Sequence, residues 1–342
     1  MAKSVNKGFG GKKLSNKRRG KKSNSFLPVV AVAISVGVLL YFFFYTQSED
    51  TKETVSEETV VESPEKVVPQ ERVKAPKQRE VKIPITTQSK ANLSSLYLKA
   101  KSALSQGDLL LARDLANEIL NKVNEGTSAW DRAAVIIGKA NTLIYATDYV
   151  SPDKINHIVK TGDSLDKIVK QYSTTLEAIQ RSNNLPLTSS TIRLGQSLTV
   201  YKGEWRIRIS KSKFRLYLYN KENLFKVYQI ATGKGNKTPE GNFVISAKIK
   251  EPEWTNKGIK HPFGDPKNVL GTRWMKLRAA ATNPNKHLTG YGIHGTWQPD
   301  SLGKMASNGC IRMTNKDVEE LFAVIPKYSN PDGNLVPVSI ER

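Results

Sequence analysis

The sequence predicts a multidomain chain: one transmembrane helix, a short α-helical segment, a small βααβ module, and a mainly β C-terminal domain of two packed sheets or a partly closed barrel. Three observations predict it. Residues 26–45 run without a charge. Residues 91–150 repeat apolar side chains at three- and four-residue steps, the period of a helix. From Gly203 onward apolar and polar side chains alternate, the period of half-buried strands.

The charge is uneven along the chain. The formal net charge is +22, but residues 1–25 alone hold nine Lys and Arg and no acid, leaving 44 basic against 31 acidic side chains. This basic tail precedes FLPVVAVAISVGVLLYFFFY, which as a helix is about 30 Å long, the thickness of a hydrocarbon core. Basic residues before it and SEDTKE after it orient the N-terminus to the cytoplasm. A cleaved signal peptide is the competing reading. Its apolar region is usually shorter, and no small-residue cleavage site follows YFFFY. Everything after the anchor is then expected outside the cytoplasmic membrane, where a chain with one cysteine does without internal disulfides. The basic surplus suits a polyanion such as a wall polymer or a lipid surface. Nucleic acid is excluded as a partner by the exported position and by the lack of any motif for it.

Residues 46–90 have few large apolar side chains and prolines at 64, 69, 76 and 84, which predicts a disordered linker. In 91–150, the repeats around Leu96, Leu115 and Ile136, broken at Gly107-Asp108 and Gly126-Thr127-Ser128, predict three helices. The segment resembles a short tetratricopeptide-like unit. It serves either as a groove for an envelope protein partner or as a spacer packed on its neighbours.

Residues 155–201 predict strand, helix, helix, strand, with Asp163 or Ser164 capping the first helix. The VKTGDSL opening, the paired Asn183-Asn184 and the LGQSLTV ending make this stretch similar to a LysM module. That resemblance implies binding to N-acetylglucosamine-containing polymers, with Gly162, Asp163, Ser164, Asn184 and Leu185 as glycan contacts. Read without it, Asp163 is a cap, Leu185 a core residue and His157 a strand residue.

In 203–342, alternation over Trp205–Tyr228, broken at Lys211-Ser212 and Asn220-Lys221, predicts three strands. TPEGNFVISAKI predicts a fourth and VPVSIE a last one. NKDVEELFAVIP reads as a helix capped near Asn315. Residues 251–290, with Trp254 and Trp274 as stacking surface and many cations, read as a mobile cap over a cleft or as a surface meander.

The lone cysteine, Cys310, lies sixteen residues after His294, and a thiol needs a nearby base or a lowered pKa to act as a nucleophile. A loop must fold back to bring the two together, and Gly290, Gly292, Gly295 and Gly303 permit one. Zinc held by His261, His287, His294 and Cys310 is the competing chemistry. Their spacing matches no ligand motif, so neither metal nor cofactor is expected.

KTPEGNF, HPFGDPKNVLGTRWM, YGIHGT and SNGCIRM, in that order, make residues 203–342 similar to the L,D-transpeptidase (YkuD-like) catalytic domain. The resemblance implies an acyltransferase that cleaves a peptidoglycan stem between meso-diaminopimelate and D-alanine through a Cys310 thioester. The acyl group then passes to the amine of a second stem, making a 3–3 cross-link, or to another amine or to water. His294 is the implied base, oriented by the Gly295 carbonyl. Backbone N–H groups around Asn308, Gly309 and Cys310 are expected to face the oxyanion with Ser307 in support, and Trp274, Tyr291 and Thr296 are expected against substrate. Arg312 either meets a substrate carboxylate or buttresses the loop. Most family members have histidine where this chain has Asn308, and asparagine cannot titrate. An L,D-carboxypeptidase and a non-catalytic peptidoglycan-binding scaffold are the alternatives. The setting implied is a bacterial cytoplasmic membrane with the catalytic domain in the periplasm or wall zone.

Overall fold

The computed structural model describes residues 87–330 and 332–342. Among the described residues no helix is long and apolar enough to cross a membrane. The span expected at 26–45, its basic tail and nearly all of the linker lie outside them.

Three helices open the described chain: α1 (Thr87–Ser105), α2 (Leu109–Lys122) and α3 (Ser128–Ala146). The first begins four residues before the helical pattern was expected to start. Asp108 and Thr127 cap α2 and α3 by accepting the Leu111 and Trp130 amides, each in the turn that carries the glycine break. Small residues (Ala100, Ala103, Ala112, Ala116 and Ala133) bring the helices together around Ile119 and Ile137.

The following module is β1 (Lys154–Ile158), α4 (Leu165–Tyr172), α5 (Leu176–Ser182) and β2 (Ser197–Tyr201), with β1 and β2 antiparallel. Leu165, Ile168, Ile179, Leu198 and Val200 form its core.

The C-terminal domain contains β3 (Trp205–Ser210), β4 (Arg215–Asn220), β5 (Asn223–Gln229), β6 (Thr232–Gly233), β7 (Gly241–Lys250), β8 (Trp254–Asn256) and β9 (Ile259–His261). It continues through β10 (Arg273–Ala279), β11 (Gly292–His294), β12 (Met305–Ser307), β13 (Ile311–Arg312), α6 (Asn315–Val324) and β14 (Pro337–Glu341). Eight strands form one sheet in the order β13-β11-β10-β7-β14-β3-β4-β5, antiparallel except for β11 with β13 and β14 with β3. The chain leaving β5 bridges back to the far edge, Ala231 exchanging amide hydrogen bonds with Arg312 of β13. The sheet therefore curls towards closure, and of the two expected architectures the partly closed barrel is the one formed.

One expectation needs correcting. Residues 273–279, read as part of a cap, form the interior strand β10. Met275, Leu277 and Ala279 face the core, while Trp274, Lys276 and Arg278 point the other way. The β8–β9 hairpin with its loop, and the turns of residues 280–290, remain outside the sheet. That loop is tied down by buried Asn268, whose amide donates to the Pro252, His261 and Pro262 carbonyls.

The helices and the small module pack on this domain. In α3, Trp130 and Ala134 meet Tyr217 and Leu224, while Ile144 and Tyr145 join the main core beside Trp205 and Phe225. Glu125 takes Arg208 and Lys213 at 2.6 Å and the Tyr217 hydroxyl at 2.7 Å. This is the arrangement of a packed spacer. A helix leaves its last four carbonyls without internal partners. For α6 those partners come from three parts of the chain. Lys248 of β7 donates to the Phe322 carbonyl at 2.6 Å and also to that of Ile325. Thr175 of the small module donates to Ala323 at 2.7 Å, and Tyr145 of α3 to Val324 at 3.2 Å.

Candidate active site

The register of the sheet sets the geometry. Strands β11 and β13 run parallel with His294 opposite Arg312 and Ile293 opposite Ile311. Cys310 precedes this ladder by one residue, so it falls beside Gly292, two register positions from His294 and on the same face. At ~3.3 Å per residue and ~4.8 Å between strands, the two α-carbons are about 8 Å apart. That spacing lets both side chains converge. The fifteen intervening residues supply the expected return loop. Gly303 (φ +73°) turns it and Gly290 (φ +81°) turns the chain into β11, whereas Gly292 and Gly295 are needed for space. A Cβ on Gly292 would stand 2.6 Å from the Trp274 indole, and one on Gly295 2.2 Å from Asn315 Oδ1.

His294 is 3% exposed. Its Nδ1–H donates to the Gly295 carbonyl at 2.6 Å, which leaves Nε2 as the basic nitrogen. Trp274, its neighbour across β10 and β11, stacks on the ring. Burial pulls the imidazole pKa down to about 4, the Gly295 and Leu270 carbonyls raising it and the Arg312 charge lowering it. Burial also pushes the Cys310 thiol up, against the Gly292 amide and the Arg312 charge. The resting pair is thus a neutral thiol and a neutral imidazole. Cys310 Sγ donates to the Gly290 carbonyl at 3.6 Å.

The cysteine loop is pinned from both sides. Ser307 Oγ donates to the Cys310 carbonyl at 2.5 Å and accepts the Gly309 amide at 3.0 Å. The Gly309 N–H is therefore engaged inside the turn and does not face the cleft as expected. Gly309 adopts φ +132°, where a Cβ would lie 2.8 Å from Tyr291 Cε1. Thr238, buried and not singled out from sequence, donates to the Gly309 carbonyl at 2.8 Å and accepts the Gly233 amide at 2.8 Å. Its only sequence signal was its place in KTPEGNF.

Cys310 opens into a cleft of about 500 Å³ walled by Ile249, Trp254, Trp274, Tyr291 and Asn308. Asn308 is exposed at its rim. Thr296 is not in this wall: it is buried, and its hydroxyl accepts the Gln298 amide, a turn contact that corrects its reading as a substrate residue. Arg312 Nε is buried without a hydrogen-bond partner among the described residues.

In the small module Gly162, Ser164 and Asn184 are exposed, and Ser164 is the cap of α4. Asp163 is occupied internally, taking His157 Nε2 at 3.0 Å and the Lys160 amide at 2.7 Å, while Tyr172 meets His157 Nδ1 at 3.0 Å. Leu185 packs against the module's core. His261 pairs with Asp265 at 2.9 Å, well inside the hairpin loop, and no group of three or more potential metal ligands gathers among the described residues.

A family model for the L,D-transpeptidase catalytic domain matches residues 204–340, and one for the LysM domain matches residues 157–200. The putative L,D-transpeptidase YkuD of Bacillus licheniformis is 35% identical over 175 residues, covering 49% of this chain and 92% of that protein.

The chain belongs to the L,D-transpeptidase family.

The Bacillus subtilis YkuD protein, also described as a putative L,D-transpeptidase, is 32% identical over 179 residues, 50% of this chain and 94% of its own length. Another putative L,D-transpeptidase of that organism, YqjB, is 46% identical over 101 residues, 29% of this chain and 54% of its own. As an L,D-transpeptidase family member the chain is an acyltransferase, and it carries a LysM domain before the catalytic domain.

Proposed function

We propose that this L,D-transpeptidase forms 3–3 peptidoglycan cross-links through a Cys310 thioester while its LysM domain holds a glycan strand. The observation that carries the reading is the placement of a thiol and a buried neutral imidazole on adjacent strands of one face, at the mouth of an aromatic-walled cleft. His294 Nε2 takes the Cys310 proton as Sγ attacks the carbonyl carbon of the bond between meso-diaminopimelate and D-alanine. The carbon–nitrogen bond breaks, the proton returns to the departing amine, and a thioester remains. An amine of a second stem then attacks that carbonyl, His294 accepts its proton, and the thiol is restored.

With the Gly309 amide engaged by Ser307, the Cys310 amide is the donor we assign to the oxyanion, with Asn308 at the rim as a second. Arg312 has an unsatisfied Nε and meets the carboxylate of the departing D-alanine. In the LysM domain the exposed Gly162, Ser164 and Asn184 are the glycan contacts; Asp163 and Leu185 shape the loops that carry them. The uncharged span 26–45 with its basic flank supports a single-pass anchor in a bacterial cytoplasmic membrane, with residues beyond it in the periplasm or wall zone.

Incubation of the protein with a disaccharide-tetrapeptide tests the reaction. Dimer formed by the native protein and absent with Cys310→Ala supports transfer. Tripeptide alone replaces the reading with hydrolysis by water. A folded protein whose thiol takes no mass from a carbapenem, and which yields no product, overturns it.

A further inference from the structure

Of the side chains that line the cleft beside Cys310, Glu253 is the only charged one among the described residues. It sits on a hairpin of mixed charge, with Lys250, Lys257, Lys260 and Lys267 beside Glu251 and Asp265. We propose that Glu253 recognises the primary alkylammonium group of the substrate, and so favours transfer to an amine over transfer to water. The proposal rests on the acyl-transfer reading above and names a specificity residue for it.

Its backbone is held on both sides. The Pro252 carbonyl accepts Asn268 Nδ2 at 2.8 Å, and Trp254 pairs with His261, its ring tilted against the imidazole with centroids 5.4 Å apart. The preceding Glu251 adopts φ +49° and donates its amide to the Thr272 carbonyl at 2.9 Å, which fastens the start of the hairpin to the start of β10. The hairpin thus holds the Glu253 backbone at the edge of the cleft that Cys310 also lines.

The structure also shows the chemistry that this carboxylate accepts. Lys260 Nζ lies 3.0 Å from Glu253 Oε1, with the two side chains 72% and 46% exposed. Lys260 ends in a primary alkylammonium, the same group as an amine acceptor in water near neutral pH. A pair this exposed is weak and readily exchanged. An incoming ammonium can displace Lys260, give one proton to the Glu253 carboxylate and attack as the neutral amine, its second proton passing to His294 and on to the departing thiolate, whereas water, being neutral, gains no charge contact. Of the three carboxylates on this stretch, Glu251, Glu253 and Asp265, only Glu253 lines the cleft.

Glu253→Gln in the full chain is the test, read in three ways. Acylation of Cys310 by a carbapenem-class β-lactam that carries no amino group, followed by mass, is expected to stay unchanged; it reports the thiol and base alone. Partition of the thioester between amine and water is expected to shift about two- to fivefold towards hydrolysis, the size of one exposed charge contact. The KM of the native protein for the amine is expected to rise with salt, and in the variant that rise is expected to disappear. If instead thioester formation slows with a free-amine tetrapeptide but not with its acetylated form, the ammonium recognised belongs to the donor. Lys260→Ala removes the competitor and is expected to lower the KM for the amine. Unchanged partition, unchanged donor acylation and unchanged salt dependence, with β-lactam acylation intact, overturn the proposal. A native protein that fails to acylate with the β-lactam overturns the acyl-transfer reading instead.

Discussion

Trp274 lies directly opposite His294 in the register of β10 and β11 and stacks its indole on the imidazole, with ring centroids 5.5 Å apart and planes 29° apart. It fills the space left by Gly292 and shields the base from water. Because burial is the largest cause of the pKa near 4, the catalytic imidazole is unprotonated throughout the neutral range. The rate of Cys310 acylation is expected to hold level down to about pH 5 and to fall near pH 4. In Trp274→Ala the exposed imidazole regains affinity for protons, so the acid limb moves up towards the ordinary histidine value of ~6.5. The pH profile of β-lactam acylation, followed by mass, checks this. A limb that stays near pH 4 in the variant assigns the shift to something other than the indole.

The same burial makes stability depend on pH. The folded-state pKa of His294 lies below its unfolded value, so the unfolded chain binds the proton more readily. Its contribution is complete above the unfolded pKa of ~6.5 and is lost as the pH falls through that value towards the folded one near 4. Between pH 7 and pH 4 the loss is about 3 kcal/mol from this one group. In His294→Gln that part of the slope disappears. Urea midpoints at a series of pH values compare the two proteins, and parallel curves refute the assignment.

Much of this site was legible because its parts are local in sequence. YGIHGT places the base next to the carbonyl that orients it, and SNGCIRM carries the nucleophile sixteen residues further on. Alternation from Trp205 onward marked β3, β4 and β5, although in β4 and β5 both faces are partly buried, because α3 covers Tyr217 and Leu224. What escaped depends on distant partners. β10 was absorbed into a cap because its exposed positions, Trp274, Lys276 and Arg278, outweigh three buried ones in composition. The bridge of Ala231 to Arg312 joins opposite edges of the sheet, and nothing near either residue announces it. Thr296 and the Gly309 amide were misread for one reason: a polar group beside a catalytic residue is as often spent on its own turn as on a substrate. Glu253 belongs to no motif, and only the shape of the cleft sets it apart.

Gly309 tests the pinned loop. At φ +132° a side chain is strained, and a Cβ meets Tyr291 Cε1 at 2.8 Å and the Lys237 carbonyl at 3.2 Å. Gly309→Ala is expected to cost about 1–3 kcal/mol of stability and to slow Cys310 acylation sharply by moving the sulfur and the Cys310 amide together. Thr238→Val keeps the shape but leaves the Gly309 carbonyl and the Gly233 amide unpaired, for about 1–3 kcal/mol. Acylation rates and denaturation midpoints measured together check both. A Gly309→Ala protein with native kinetics removes the loop geometry from the mechanism.

The cap on α6 makes a prediction about the whole chain. This helix starts three residues after Arg312, and its Asn315 Oδ1 accepts the Thr272 amide beside the His294 turn. At its other end Tyr145, Thr175 and Lys248 bring the helical segment, the LysM domain and the sheet onto consecutive carbonyls. Tyr145 and Thr175 also share a hydrogen bond of 3.0 Å. Removing either hydroxyl strands a buried carbonyl, so Tyr145→Phe and Thr175→Val are each expected to cost about 1–3 kcal/mol. Because the two hydroxyls bond each other, the double variant is expected to lose less than the sum of the single losses, by about 0.5 kcal/mol or more. Urea unfolding should also follow one transition whether read at Tyr172 in the LysM domain or at Trp205 in the sheet, since Trp205 Nε1 donates to the Ser173 carbonyl across that boundary at 3.0 Å. Strict additivity with two separate transitions would mean that the LysM domain is only resting on the catalytic domain. One transition with a coupled pair means that a glycan strand held by the LysM domain is held at a fixed distance from Cys310.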